Sequence, residues 1–303
     1  MSAREIVMLG TASQAPTRDR NHNATLVRWD GRAVLFDPGE GTQRQFANAG
    51  LSASSVTRIC ISHFHGDHCL GLPGMIMRLA LDEGHLPVPI HYPRSGEAYF
   101  ERLRLASHGQ EDLPVDARPI DAPGIIHQDE MFTIRAQRLA HRIEAFGFRV
   151  EEPDGRRFLP DRLEAEGIRG AAVGRLRRDG SIVHEGRTVR LEEVSEFRPG
   201  QVVAYVMDTA WCDGALELAE GADVVVCEST FLSADEHLAA EFGHMTAQQA
   251  GRLARVSGAR RLVLSHFSRR YDDVADFGRE ARLEFDDVVI ASDFDRIPVP
   301  PHR

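Results

Sequence analysis

Three histidines and an aspartate fall within six residues of the segment 62–74, SHFHGDHCLGLPG. The apolar run VTRICI (56–61) directly before it predicts a strand that ends at this loop. In extended backbone His63 and His65 point the same way and can share one metal ion. Asp67 and His68 then turn toward a neighbouring position, so the loop predicts a centre with two ions. Imidazole with carboxylate suits zinc, and manganese and iron also accept such ligands.

Two ions need more ligands than this loop supplies. Three strand-like segments, 132–141, 202–208 and 261–266, end in His141, Asp208 and His266 respectively. Residues at the carboxyl ends of strands line the functional edge of a layered α/β protein. A carboxylate such as Asp208 can bridge two ions about 3.5–4 Å apart. These three side chains are therefore the candidates to complete the centre.

The remaining pattern predicts a layered α/β protein that positions these strand ends. Strands are expected at 4–10 and 223–229, and Asp30-Gly31 between two apolar runs predicts a hairpin. Helices are expected at 70–81, 214–221 and 245–258, with Thr246 as the N-cap of the last one. The segment 151–200 differs, because it is rich in glycine, proline and charge. It predicts an inserted arm, the alternative being a solvated surface excursion.

Composition limits the function classes. A chain of 303 residues with 42% hydrophobic residues can form an ample core, and it has no apolar run that predicts a membrane span or signal peptide. Its net charge of −10 argues against a general nucleic-acid binder. All 36 basic residues are arginine, which can form bidentate contacts with phosphate. The four cysteines lack paired spacing, which favours reduced thiols in a cytoplasmic protein.

A family resemblance adds to these inferences. HFHGDH is the signature of the metallo-β-lactamase superfamily, and the chain resembles its ribonuclease Z family, the tRNA 3′-processing endonucleases, nearly end to end. The stretches that carry the resemblance are LGTASQAPTRDRN, FDPGEGTQRQF, SHFHGDHCLGLPG, LAHRIEAFGFRVEE, VMDTA, CESTF, GHMTAQQAG, LSHFSRRY and ASDFDRIPVP. The fold implied is the α/β four-layer αβ/βα sandwich, with two sheets face to face and an inserted exosite arm.

The resemblance also implies roles for individual residues. One zinc ion would be held by His63, His65 and His141, the other by Asp67, His68 and His266, with Asp208 bridging them. Asp67 would also accept a proton. His244 would protonate the leaving oxygen, and Glu228 would orient His244. The alternatives are a helix N-terminal histidine without a catalytic role and a surface or capping glutamate.

An acidic protein needs a local basic surface to hold tRNA, and the resemblance places an exosite arm between the His141 and Asp208 motifs. Within one domain of residues 1–303, the segment 151–200 occupies that place. Residues 169–190 contain six arginines and two acidic residues, a local charge of +4. Arg175, Arg177 and Arg178 are the candidate RNA-binding residues. The chain departs from the family at Gly170-Ala171, where arms of the family usually carry Gly-Pro.

The resulting hypothesis is a zinc-dependent endoribonuclease that removes the 3′ trailer from precursor tRNA. It would leave a 3′-hydroxyl on the tRNA and a 5′-phosphate on the trailer. The family also implies a cytoplasmic homodimer. Two alternatives stay open: a metallo-hydrolase of small phosphodiesters or sulfate esters, and an RNA-binding module with a purely structural metal site. The basic arm argues against the former, and the presence of both Asp67 and His244 argues against the latter.

Overall fold

The computed structural model of the protein describes residues 4–82, 87–110 and 112–302. Its strands, in chain order, are β1 (Glu5–Gly10), β2 (Ala24–Trp29), β3 (Arg32–Phe36), β4 (Val56–Cys60), β5 (Pro89–Pro93), β6 (Asp116–Ile120), β7 (Gly124–Gln128), β8 (Thr133–Leu139), β9 (Ala145–Glu151), β10 (Gly155–Phe158), β11 (Ser181–His184), β12 (Arg187–Arg190), β13 (Ser195–Arg198), β14 (Val202–Val206), β15 (Val224–Glu228), β16 (Leu262–Ser265), β17 (Val288–Ile290) and β18 (Arg296–Pro298).

The α-helices are α1 (Thr42–Asn48), α2 (Gly66–Cys69), α3 (Leu72–Leu81), α4 (Glu97–Arg104), α5 (Pro160–Ala165), α6 (Ala171–Asp179), α7 (Asp213–Ala219), α8 (Glu236–Phe242), α9 (Ala247–Val256) and α10 (Ala275–Ala281). Within the described ranges, none of these helices has the length and apolar character needed to cross a membrane.

The chain forms two compact units, the larger of which comprises Met1–Glu151 and Val202–Pro300. It contains two seven-stranded sheets, in the orders β18-β1-β2-β3-β4-β5-β6 and β17-β16-β15-β14-β9-β8-β7. A buried apolar cluster lies between the sheets, where the Phe36 ring from one sheet stacks on Tyr205 from the other at 4.8 Å between centroids. Two further clusters join the outer faces to helices, α1, α3 and α4 on one side and α7, α9 and α10 on the other. The predicted αβ/βα sandwich is confirmed.

Local predictions also agree with the observed elements. Asp30 (φ 47°) and Gly31 (φ 92°) both have positive φ between β2 and β3, as a two-residue hairpin turn requires. Thr246 caps α9, because its hydroxyl accepts a hydrogen bond from the Gln249 amide. The helix expected at 70–81 begins instead at Leu72, with Gly71 as its N-cap, since a separate short helix, α2, precedes it and carries Asp67 and His68.

The smaller unit comprises Glu152–Gln201 and Pro301–Arg303. Strand β10 pairs with β13, and β11 pairs with β12 as a hairpin. These elements and α6 enclose a small apolar core of Ile168, Leu176, Val189 and Val194. Residues 152–201 contain ten arginines and ten carboxylates, so the segment as a whole is neutral, and its net positive charge lies at 169–190. Its role as a tRNA-binding arm stays a prediction.

Candidate metal centre

Four strand ends bring the predicted ligands to one edge of the sandwich. Strand β4 leads into the loop with His63 and His65, and β14 and β16 lead to Asp208 and His266. Strands β14, β15 and β16 are parallel, so their carboxyl ends share one edge. Strand β8 runs antiparallel to β9, which is antiparallel to β14, so His141 after β8 emerges at the same edge.

The first group of donor atoms comprises His63, His65, His141 and Asp208, all within 4.8 Å of one another. Nε2 of His63 lies 2.9 Å from Nδ1 of His65, and Nε2 of His141 lies 3.2 Å from that same atom. The Oδ2 atom of Asp208 lies 3.5 Å from Nε2 of His63. Three ring nitrogens and one carboxylate oxygen therefore face a common point.

The second group comprises Asp67, His68 and His266. The Nε2 atoms of His68 and His266 lie 3.2 Å apart, and each of these atoms lies 3.4 Å from Oδ2 of Asp67. The other oxygen of Asp208, Oδ1, lies 3.3 Å from Nε2 of His68 and 3.1 Å from Nε2 of His266. The two oxygens of Asp208 thus face the two groups separately, as a bridging carboxylate would.

Hydrogen bonds behind the rings fix the tautomers of four histidines. Nδ1 of His68 donates to Oδ2 of Asp37 at 2.8 Å, and Nδ1 of His141 donates to the carbonyl of Gly243 at 2.9 Å. Nδ1 of His63 donates to the Ser62 hydroxyl at 2.9 Å, because that hydroxyl itself donates to Asp37. The Thr230 hydroxyl likewise donates to Glu228, so it accepts from Nδ1 of His266 at 2.9 Å. The Nε2 atoms of all four therefore face the cluster, the arrangement found in metal-ligating histidines.

Burial and charge show that the cluster suits a cation. Oδ1 of Asp208 is buried and makes no hydrogen bond within the described structure, although two imidazole nitrogens approach it. Burial raises the pKa of Asp208, but His266 and His68 outweigh that effect and hold it well below its ordinary value. Burial lowers the pKa of His68, yet Asp208, Asp67 and Asp37 raise it well above the usual range. Several buried carboxylates thus favour positive charge here, and the residues present fit a metal centre.

Backbone strain accompanies this geometry. Asp37, Asp208 and His266 adopt positive φ angles of 48°, 47° and 62°. Such conformations are uncommon outside glycine, although aspartate and histidine tolerate them best. They concentrate at sites where the surrounding fold over-determines the backbone. Asp208, His266 and Asp37, which accepts a hydrogen bond from His68, therefore keep backbone conformations that the edge of the sheet imposes.

His244 and Glu228 form a pair beside the cluster. Nδ1 of His244 lies 2.9 Å from Oε1 of Glu228, whose side chain is fully buried at the end of β15. Burial lowers the pKa of His244, but Glu228 and then Asp208 raise it to about 9. Oε1 of Glu228 also accepts from the Thr209 amide at 2.6 Å. The alternative of a surface glutamate is therefore wrong, because Glu228 is held in the core and holds His244 in turn.

A cavity of about 540 Å³ gives access to these groups. Members of both donor groups line it, and so do His244, Arg142, Phe242, Leu70 and Arg270. His244 thus reaches the same cavity as five of the seven predicted ligands, and Glu228 lies buried behind it. The role of the seven as ligands stays a prediction. Sequence reasoning missed Asp37, Ser62 and Thr230. Asp37 follows a strand within FDPGEGTQRQF, so its place at a strand end was a usable signal.

The candidate RNA-binding arginines lie on helix α6 of the smaller unit. All three side chains are exposed, and they differ in their partners. Arg178 pairs with Asp179 at 3.1 Å, and the guanidinium of Arg177 lies 5.1 Å from the centre of the Phe158 ring. Arg175 has no carboxylate partner among the described residues. The structure therefore ranks Arg175 first as a cation available to a ligand.

Comparisons with known proteins agree with the fold and the donor set. Residues 17–142 match the metallo-beta-lactamase superfamily, and residues 178–267 match the beta-lactamase superfamily domain. The sandwich and its histidine–aspartate edge thus define a protein of the metallo-β-lactamase superfamily. Ribonuclease Z of Nocardia farcinica is 55% identical over 305 residues, and that of Streptomyces coelicolor is 53% identical over 305 residues, each alignment covering 100% of both chains. The crystal structure of human tRNase Z, short form, aligns with a TM-score of 0.71 at 27% identity, covering 98% of this chain and 100% of that one. The chain belongs to the ribonuclease Z family.

Proposed function

We propose that this chain is an endoribonuclease that removes the 3′ trailer from precursor tRNA, leaving a 3′-hydroxyl on the tRNA and a 5′-phosphate on the trailer. The observation that carries the proposal is 55% identity to a ribonuclease Z over the whole of both chains. The cavity supports it, because metal-type donors line the same space as His244, which Glu228 holds from behind.

The donor set suits two zinc ions, with manganese or iron as other occupants. His63, His65 and His141 would hold one ion, and Asp67, His68 and His266 the other, with Asp208 between them. When bound, such a pair of ions supplies an activated water near neutral pH and offsets the charge that builds on the phosphate.

The chain's own residues supply the proton transfers. Asp67 lines the cavity, where a substrate phosphate and an attacking water would meet, and the family resemblance assigns it as the acceptor of the proton from that water. The departing 3′-oxygen needs a proton in return, and His244 is placed to donate it. Glu228 fixes the His244 ring through Nδ1, which leaves Nε2 for the leaving group.

Selection of tRNA as the substrate depends on contacts remote from the site of cleavage. We assign tRNA binding to the arm at 151–200, chiefly through Arg175, Arg177 and Arg178, because two ions and a proton donor recognise little beyond a phosphodiester. The family resemblance further suggests a homodimer in the cytoplasm. Sedimentation of the purified protein tests the dimer independently of the activity.

The decisive experiment is incubation of the purified, metal-loaded protein with a 3′-extended tRNA transcript, followed by mapping of both new ends. Cleavage directly after the mature tRNA, with the ends named above, is expected. Hydrolysis of a nitrophenyl phosphodiester without cleavage of the transcript would favour the small-substrate hydrolase instead. Binding of the transcript without any hydrolysis would favour an RNA-binding module with a structural metal site.

A further inference from the structure

An aromatic ring and a guanidinium stand together at the rim of the cavity. The guanidinium carbon of Arg142 lies 5.7 Å from the centre of the Phe242 ring, within the range of a cation–π contact. Both residues line the cavity that members of both donor groups also line. Phe242 remains 37% exposed, so much of its ring is left uncovered. An uncovered ring beside a catalytic cavity offers a surface for a ligand.

Gly243 fixes this pair relative to the metal centre. It ends α8 with a φ of 74°, and its carbonyl accepts the hydrogen bond from Nδ1 of His141. A Cβ atom at position 243 would lie 3.2 Å from that nitrogen and 3.6 Å from the amide nitrogen of Arg142. Because Gly243 lies against His141, the residue before Gly243, Phe242, lies beside the residue after His141, Arg142.

The pair lies on the same side of the cavity as His244. His244 follows Phe242 by two residues, and its ring centre lies 5.1 Å from that of His141. Under the proposed function His244 protonates the departing 3′-oxygen, which belongs to the last nucleotide of the mature tRNA. The nucleotide that carries this oxygen would therefore lie on the side of the cavity that Phe242 lines.

The two side chains offer complementary contacts to a nucleotide. An exposed aromatic ring stacks on bases of any sequence, and an adjacent arginine adds charge for the strand. No carboxylate lies within ion-pair distance of Arg142 in the described parts of the chain, so its charge is available to a ligand. We propose that Phe242 stacks on the base of the last tRNA nucleotide and that Arg142 contacts a phosphate next to it. This assignment rests on the proposed function and extends it to the nucleotide that carries the leaving oxygen.

The test compares Phe242→Leu and Phe242→Tyr on two precursor transcripts. One has its normal sequence, and the other carries an abasic ribose at the last tRNA nucleotide. Phe242→Leu should lower kcat/KM on the normal transcript about ten-fold, because stacking on an aromatic ring changes binding by a factor of about 5 to 150. On the abasic transcript the same variant should change kcat/KM less than about two-fold, and Phe242→Tyr should restore normal values. Equal losses on both transcripts would show a structural role and overturn the assignment, as would unchanged cleavage of the normal transcript.

Arg142→Ala provides the second measurement, with Arg252→Ala as its matched control. The guanidinium of Arg252 lies 5.2 Å from the Trp211 ring, a similar cation–π pair that does not line the cavity. Arg142→Ala should reduce the salt dependence of precursor binding by about 0.7 in logarithmic slope, the value for one phosphate contact on a single strand, and Arg252→Ala should not. Equal slopes for both variants would overturn the role of Arg142. If the wild-type protein leaves the precursor uncut, the proposed function fails and this assignment fails with it.

Discussion

The hydroxyl of Tyr205 donates a 2.8 Å hydrogen bond to Oδ2 of Asp37, across the interface between the two sheets. Asp37 accepts at that same oxygen from His68, one of the predicted ligands. Asn23 donates to the Tyr205 hydroxyl at 2.6 Å and completes the contact. Tyr205, on β14 of one sheet, thus holds the Asp37 carboxylate. Asp37 in turn orients His68, which follows β4 of the opposite sheet.

Tyr205→Phe should weaken metal binding without unfolding the protein. The ring still stacks on Phe36, but Asp37 loses a donor and His68 loses part of its orientation. Loss of such an outer contact typically costs about 10–100-fold in metal affinity. Competition with a chelator of known affinity measures the change. An affinity equal to that of the wild type would show that Ser62 and His68 suffice to hold Asp37.

Asp208→Ala should remove activity and lower the bound metal below two equivalents, because both groups lose a donor. Elemental analysis of dialysed protein checks this. Asp223→Asn is the matched control, since Asp223 is also a buried carboxylate but pairs with Arg260 away from the cluster. Two full equivalents of metal in Asp208→Ala would contradict the bridging assignment.

His244→Ala should keep both metals and still bind RNA, yet cleave precursor tRNA more slowly by a factor of about 10²–10⁴. The penalty should shrink on bis(p-nitrophenyl) phosphate, because nitrophenolate leaves without needing a proton. Single-turnover rates on both substrates provide the comparison. An equal loss on the two substrates would reject the role of His244 as proton donor.

Replacing Arg175, Arg177 and Arg178 together by alanine should raise KM for precursor tRNA and flatten its salt dependence. Each lost phosphate contact should reduce the slope by somewhat under one unit. Of the single changes, Arg175→Ala should have the largest effect, because Arg178 already pairs with Asp179. Hydrolysis of a small phosphodiester should be unchanged. Cleavage of tRNA that survives the triple change at high salt would exclude the arm as the tRNA-binding surface.

The sequence predicted the parts of the site that depend on local chemistry. The HxHxDH spacing and the strand ends before His141, Asp208 and His266 indicated a shared edge, because side-chain direction and strand polarity follow from backbone geometry. The convergence of these ends depends on strand order. The family resemblance implied the sandwich, but the order of the strands came only from the structure.

Contacts between distant segments escaped prediction for a physical reason. Thr230 links His266 to Glu228, and Tyr205 links Asp37 to the opposite sheet, but none of these residues has an unusual spacing. Their roles arise only when the sheets pack. No local pattern indicated that Glu228 is buried. Phe242 reaches the cavity only because Gly243 approaches His141, a contact between distant segments.

The segment Glu152–Gln201, the main part of the smaller unit, is inserted between neighbouring strands, with Glu151 of β9 paired to Val202 of β14. In topological terms it is an enlarged hairpin loop, and the amide of Glu152 and the carbonyl of Gln201 continue the ladder for one more bond at 2.9 Å. The free energy of closing a loop rises only with the logarithm of its length, so such an insertion places little burden on the parent sheet. Excising 153–200 and joining the strands through a short Asn-Gly turn should therefore yield a minimal hydrolase. Under the proposed function, the same junction should accept a foreign RNA-binding domain, and exchange of the arm should change which RNA is cleaved.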